Sequence, residues 1–252
     1  MEKKKLIIKK IWLIPVFIIF LGMFFFNLYK IIIWNYENDK NNKINNIIKT
    51  EIIKKDGDEI IIDSDALKKR NENAIGYIMI NNTKIDYPIV QCKDNNYYLN
   101  HNINDEYNSA GWIFADYRNK LDGTDKNIVL YGHARLDGTM FGTVKKMFEK
   151  KWYSNIDNLK IKLFIGEKIN IYNIFSIYKT EPEDYYIQTD FNEDSYKVFL
   201  DTIKKRSINN FNIELNSNSK ILTLSTCTDG NKYRLVVHAA LQNNWYILCF
   251  AC

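Results

Sequence analysis

The chain has 252 residues, 46% of them hydrophobic, which is enough for one sizeable domain with a proper core and further segments. Its net charge of +5 is localised: residues 1–33 carry six lysines against one glutamate, and the other 219 residues balance 29 basic side chains with 29 acidic ones. No surplus of positive charge remains for a nucleic-acid surface, so that class of partner is set aside.

The N-terminal surplus flanks an apolar run. After "MEKKKLIIKK" come 19 uncharged residues, Ile11 to Tyr29, and "KIIIW" extends them. At about 1.5 Å per residue such a run nearly crosses a hydrocarbon layer of about 30 Å. The five preceding lysines predict a single-pass helix with a cytoplasmic N-terminus and the rest of the chain outside. A cleaved signal peptide is the rival reading, but bulky Phe, Asn, Leu, Tyr and Lys stand where small residues should precede a cleavage site. The stretch has no polar face for a core helix. The expected division is a basic flank at 1–10, an anchor at 11–33, and a polar stalk with one or two helices at 34–75. A strand-rich domain at 76–242 and a tail at 243–252 complete it.

From residue 76 the pattern is of strands. "IGYIMI" and "KIDYPIVQ" flank "NNT" as a hairpin, and "KNIVLYGH" is rich in β-branched and aromatic residues. "TMFGTVKKMFEKKWYSN" has Met140, Val144 and Phe148 at helical spacing. "KIKLFIG" and "KINIYNIFSIYKT" make a second strand pair. "NEDSYKVFLDTIKKRS" reads as an amphipathic helix, acidic early and basic late. "KILTLSTC" and "KYRLVVHAALQ" close the series around "TDGNKY", whose Asp-Gly signals a turn. Many short strands with two inserted helices predict a mainly β fold, a closed or nearly closed barrel.

Alternation along a strand sorts the side chains by face. Leu222 and Leu224 point to the core, and Thr223, Ser225 and Cys227 to the opposite face. In "NIVLYGH", Ile128 and Leu130 share one face and Tyr131 and His133 the other, with Gly132 allowing close backbone approach. Folding the last hairpin brings Arg234 beside Cys227. A thiolate attacks, a nearby cation favours it, a histidine moves protons near neutral pH, and a guanidinium holds a negative oxygen. Taken singly, a strand-end Cys, a His after Gly and an Arg at a strand start each have an ordinary structural explanation. The order His before Cys speaks against a papain-like protease. His101 lies in a polar loop. His238 sits four residues beyond Arg234, about 13 Å at about 3.3 Å per residue, so both read as structural. Asp229 could orient His133, although a turn aspartate needs no such role. Cys249 and Cys252 form a C-x-x-C without a second pair or nearby histidines, a weak signal for redox chemistry or metal.

The motifs "KIDYPIVQ", "NYYLNHN", "AGWIFADYRN", "NIVLYGHARLDGTMFG", "YYIQTDF", "TLSTC" and "RLVVHA", spread over residues 76–242, resemble those of class B sortases, the membrane-anchored cysteine transpeptidases of Gram-positive bacteria. The resemblance implies an eight-stranded β-barrel with flanking helices. It implies Cys227 as nucleophile, His133 as acid or base and Arg234 as stabiliser of the oxyanion or substrate. Leu99, Tyr186, Ile187 and Ser225 would line the groove for a C-terminal sorting signal of the Asn-Pro-x-Thr kind. Partners would be surface proteins bearing that signal, a peptidoglycan amine and the lipid bilayer, with no cofactor or metal. A pilin-polymerising relative with a lysine acceptor, and a non-catalytic surface-binding module, are the alternatives.

Overall fold

A computed structural model describes residues 2–57, 59–166, 168–228 and 232–242. The chain divides into two compact units, Met1–Ile44 and Asn45–Cys252. The first consists of helix α1 (Glu2–Ile52), whose final turns belong to the second unit. Leu13 to Ile33 expose their apolar side chains, and the helix is long and apolar enough to cross a membrane.

The second unit begins with the end of α1, where Ile48 and Ile52 are buried and Lys49 pairs with Asp86 at 2.6 Å. A two-stranded ribbon follows, β1 (Ile53–Asp56) and β2 (Glu59–Ile62), and then the short helix α2 (Ser64–Arg70). Asp63 caps α2, its Oδ1 accepting from the amide of Ala66 at 2.9 Å, and three basic residues close the last turn. Past its end, Asn71 donates to the carbonyl of Ile103 at 2.7 Å and fastens the helix to the loop that contains Ile103.

The remaining strands are β3 (Ala74–Ile80), β4 (Asp86–Val90), β5 (Phe114–Ala115), β6 (Asn127–Tyr131), β7 (Lys160–Ile165), β8 (Lys168–Thr180), β9 (Ile221–Thr228) and β10 (Tyr233–Leu241). They close into an eight-stranded barrel in the order β10-β8-β7-β3-β4-β5-β6-β9. Closure removes free sheet edges. All three expected hairpins are present, β3 with β4, β7 with β8 and β9 with β10, and the turn of the second includes Gly166 in the left-handed region. Two pairs run parallel, β4 with β5 and β6 with β9. The second brings the C-terminal ends of β6 and β9 to one end of the barrel.

Two helices lie in the connections. Helix α4 (Glu193–Lys205) starts with a reciprocal cap between Asn192 and Ser195 and carries acidic residues first and lysines last, as its sequence indicates. It packs Tyr196, Phe199, Leu200 and Ile203 against Phe175, Ile221 and Ala240 of the barrel. Each fully buried large side chain of this kind contributes roughly 1.5–3 kcal/mol. The helix expected across "TMFGTVKKMFEKKWYSN" does not run through. It is broken into a 3-10 segment, Val144–Phe148, and one turn, α3 (Lys150–Tyr153). Met140 sits at φ 51° and forms a β-bridge with Ala134. A Cβ on Gly142 would lie 2.2 Å from the carbonyl oxygen of Arg135. The stripe still packs, with Met140 and Val144 fully buried, but through a turn instead of one continuous helix.

Candidate active site

The barrel topology assembles the site from local pieces. In the parallel pair of β6 and β9, Tyr131 is the register partner of Ser225. Two residues further on, His133 and Cys227 leave the same end of the barrel on the same face. In the antiparallel pair of β9 and β10, Cys227 is the partner of Arg234. Directly opposed residues share a face, with Cβ atoms about 4.5–5.5 Å apart. The topology therefore brings His133 and Cys227 to one rim and sets Arg234 opposite Cys227 in the ladder.

His133 and Cys227 line one open cleft of about 590 Å³, together with Ser109, Arg135, Lys145 and Thr228. The charged side chains in its lining are basic. A larger depression of about 710 Å³, lined by Ile62, Leu67, Lys168, Tyr172 and Leu241 among others, contains neither cysteine nor histidine. The imidazole of His133 is held by the backbone, with Nε2 2.7 Å from the carbonyl oxygen of Leu99. A carbonyl only accepts, so Nε2 carries a hydrogen. Gly132 gives the close approach its position suggests, since a Cβ there would stand 3.0 Å from the Phe141 ring.

Leu99 ends a 3-10 turn, Tyr97–Leu99, and is 38% exposed at the mouth of the site. Tyr186 and Ile187 belong to another 3-10 turn, Tyr185–Ile187, between β8 and α4. Tyr186 packs with Tyr178 and Val236, and Ile187 leans on that cluster. Burial raises the Tyr186 phenol above its ordinary pKa, against the opposing pull of a hydrogen bond from Ser225 and of the Arg234 charge. Tyr186 thus lies near both Ser225 and Arg234. Of the seven residues singled out in the sequence, His133 and Cys227 line the cleft, Tyr186 and Ser225 are buried, and Leu99, Ile187 and Arg234 stand outside its lining.

The face that carries Cys227 differs from a simple polar surface. Thr223 and Ser225 are buried, because α4 and the Tyr185–Ile187 turn cover that side of the sheet. The polarity is spent on an internal network. Thr223 Oγ1 donates to Asn127 Oδ1 at 2.6 Å and lies 2.8 Å from Nδ1 of His238, whose Nε2 lies 2.9 Å from the hydroxyl of Tyr178. His238 is fully buried, and desolvation holds its pKa down at about 3. It is neutral and structural. His101 is also occupied, stacked on Tyr97 at 4.1 Å with Nδ1 2.9 Å from the Tyr97 carbonyl.

Several residues that organise the site were not singled out in the sequence. Asp116, with no exposed side-chain surface, accepts from Arg118, Asn95 and the Tyr131 hydroxyl at 2.7, 3.0 and 2.8 Å. Burial works to raise its pKa, but hydrogen bonds from Arg118 and Tyr131 prevail and leave the carboxyl below the usual range. The only trace in the sequence is a D-x-R within "ADYRN", a pattern too common to interpret alone. Asp229 and the Cys249/Cys252 pair lie outside the described residues.

Comparison with known proteins agrees with this geometry. Residues 78–242 match the model of the sortase domain. Sortase B of Listeria monocytogenes is 34% identical over 243 residues, covering 89% of this chain and 94% of its own. The crystal structure of Bacillus anthracis sortase B in complex with AAEK1 superposes with a TM-score of 0.73 at 34% identity, over 82% of this chain and 98% of that one. A Staphylococcus aureus sortase B–substrate complex does so with a TM-score of 0.67 at 34% identity, over 71% and 84%. The chain belongs to the sortase family and is a cysteine transpeptidase of the sortase B kind.

Proposed function

We propose that this transpeptidase cleaves a C-terminal sorting signal of the Asn-Pro-x-Thr kind after its threonine and joins the protein to a peptidoglycan amine. The observation that supports the reading is the shared cleft of His133 and Cys227, with Arg234 as the ladder partner of Cys227. Cys227 Sγ, as thiolate, attacks the threonine carbonyl, and Arg234 steadies the oxygen that becomes negative. The intermediate collapses to a thioester as the C–N bond breaks, and His133 gives its proton to the departing amine. An incoming amine then attacks the thioester carbonyl. It passes a proton to His133 as it forms a new amide, and Cys227 leaves as thiolate. Leu99, Tyr186, Ile187 and Ser225 form the groove wall for the signal.

The apolar helix, with its lysine-rich start, supports a single-pass anchor with the N-terminus in the cytoplasm and the catalytic unit outside. Sharing one layer with a lipid-linked acceptor and an incompletely exported substrate raises their effective concentration.

The test is a reaction of the purified chain with a small library of sorting peptides, supplied with either triglycine or a lysine-bearing peptide as acceptor. Cleavage after threonine with transfer to triglycine is the expected result. Transfer to lysine alone would point to pilin polymerisation. Absence of cleavage across the library would refute the sorting reading.

A further inference from the structure

Three consecutive backbone carbonyls in the connection between β8 and α4 are held by two side chains from other parts of the barrel unit. Asn127 Nδ2 donates to the carbonyl of Tyr186 at 3.3 Å and to that of Gln188 at 2.8 Å. Arg118 Nη2 donates to the carbonyl between them, that of Ile187, at 2.9 Å. The segment so gripped contains the Tyr185–Ile187 turn.

Both holders are fixed in turn. Arg118 forks onto the buried Asp116, with Nε 2.8 Å from Oδ1 and Nη2 2.7 Å from Oδ2, a bidentate pair that sets the direction of its remaining hydrogens. Asn127 is fully buried, and its orientation follows from its partners. Its amide nitrogen faces two carbonyls, so Oδ1 must be the atom that accepts from Thr223. Thr223 has then spent its only hydrogen and receives one from Nδ1 of His238, which leaves Nε2 of that histidine to accept from the Tyr178 hydroxyl. The bonds therefore run in one direction, from Tyr178 through His238, Thr223 and Asn127 to the loop carbonyls.

We propose that Asn127 and Arg118 are positioning residues for peptide recognition. By fixing the carbonyls of Tyr186, Ile187 and Gln188 they hold the Tyr186 and Ile187 side chains in place beside Ser225, so that the wall is formed before substrate arrives. Ordering of the wall is then not charged against binding. This rests on the reading that the groove takes a sorting peptide. Neither residue touches the reacting atoms, so the effect falls on substrate affinity.

The experiment uses the full chain with Arg118→Gln and Asn127→Asp. Arg118 is partly exposed, its side chain 38% accessible, but its partner Asp116 is buried, so Gln is chosen to keep a donor for that carboxylate and the fold of each variant is checked by circular dichroism and melting. Asp at 127 still accepts from Thr223 but has no amide hydrogens to give. KM and kcat for a sorting peptide, KM for triglycine, and the rate of Cys227 alkylation by iodoacetamide are measured for each. KM for the peptide rises about fivefold to tenfold through loss of these hydrogen bonds, with the loss on KM rather than kcat and with alkylation and acceptor KM as in the parent. A folded Arg118→Gln enzyme with the parent's peptide KM overturns the assignment. So does a loss that falls equally on kcat and alkylation, which would mean the reactive centre itself had moved. Failure of the unsubstituted chain to cleave any sorting peptide overturns the underlying reading as well, and is thereby distinguishable.

Discussion

Cys227 and Arg234 are direct register partners across β9 and β10, two strands of a closed barrel whose shared face is otherwise buried. Strand pairing sets the backbone of Arg234 opposite that of Cys227 without help from a loop, and the guanidinium donates from Nη1 to the Tyr233 carbonyl at 3.2 Å.

Replacing Arg234 therefore removes a charge while the sheet remains. Arg234→Ala is expected to lower kcat by about 10²–10³, the usual loss for one oxyanion donor, while circular dichroism and melting stay close to the parent. Steady-state rates on a sorting peptide decide it, and full activity in a folded Arg234→Ala enzyme would remove the stabilising role.

The two described cysteines are expected to part company. Cys227→Ala loses peptide cleavage by about 10³-fold or more, and Cys92→Ala retains it. Burial raises the Cys92 thiol above its ordinary pKa, ahead of the lowering effect of its hydrogen bond to Asp94, so less of it is thiolate at neutral pH. Peptide mapping after brief iodoacetamide treatment should find the label on Cys227 first. Faster labelling of Cys92 contradicts this.

Much of this arrangement was legible in the sequence, for physical reasons. Alternation in "ILTLSTC" separates the leucines from Thr223, Ser225 and Cys227, and the pairing of β9 with β10 needs only a short turn. The cap and charge order of α4 are local as well. What escaped was non-local. The parallel pairing of β6 with β9, which brings His133 to Cys227, leaves no mark in either strand. The 140–155 stripe repeats like a helix, but Met140 adopts a left-handed conformation and Gly142 is pressed against the Arg135 carbonyl, so packing overrides the repeat. The burial of Thr223 depends on α4 lying over it, and the grip of Arg118 on Ile187 spans 69 residues.

Gly111 links stability to the site. It sits at φ +58°, and a Cβ there would stand 2.5 Å from the carbonyl oxygen of Tyr98 and 2.7 Å from that of Leu99, the oxygen that holds His133. Gly111→Ala is expected to cost about 1–3 kcal/mol in urea unfolding and to lower kcat along with it. An unchanged unfolding midpoint would show that the loop yields without cost.

Acid stability should carry the signature of His238. Its neighbours are the Tyr178 hydroxyl, Thr223 and the rings of Phe175 and Phe199, with no charge among them. Its folded pKa, about 3, lies below the ordinary 6.5, so below pH 6.5 the unfolded chain takes up the proton first. This contribution is complete above pH 6.5 and declines as the pH falls toward 3. Between pH 6.5 and 5 the loss is on the order of 1–2 kcal/mol, before the depressed carboxylates such as Asp116 begin to titrate. Urea unfolding at the two pH values measures it. A His238→Gln variant should be less stable at pH 7 and lose less over that interval, and an equal loss would assign the effect elsewhere.

The most direct measurement is intact mass spectrometry of the enzyme during turnover of a sorting peptide without acceptor, followed by peptide mapping and hydroxylamine treatment. The account predicts an adduct equal to the acyl portion ending in threonine, carried on Cys227 and released by hydroxylamine as the hydroxamate. Active enzyme that never carries such an adduct, or carries it on Cys92, would contradict it.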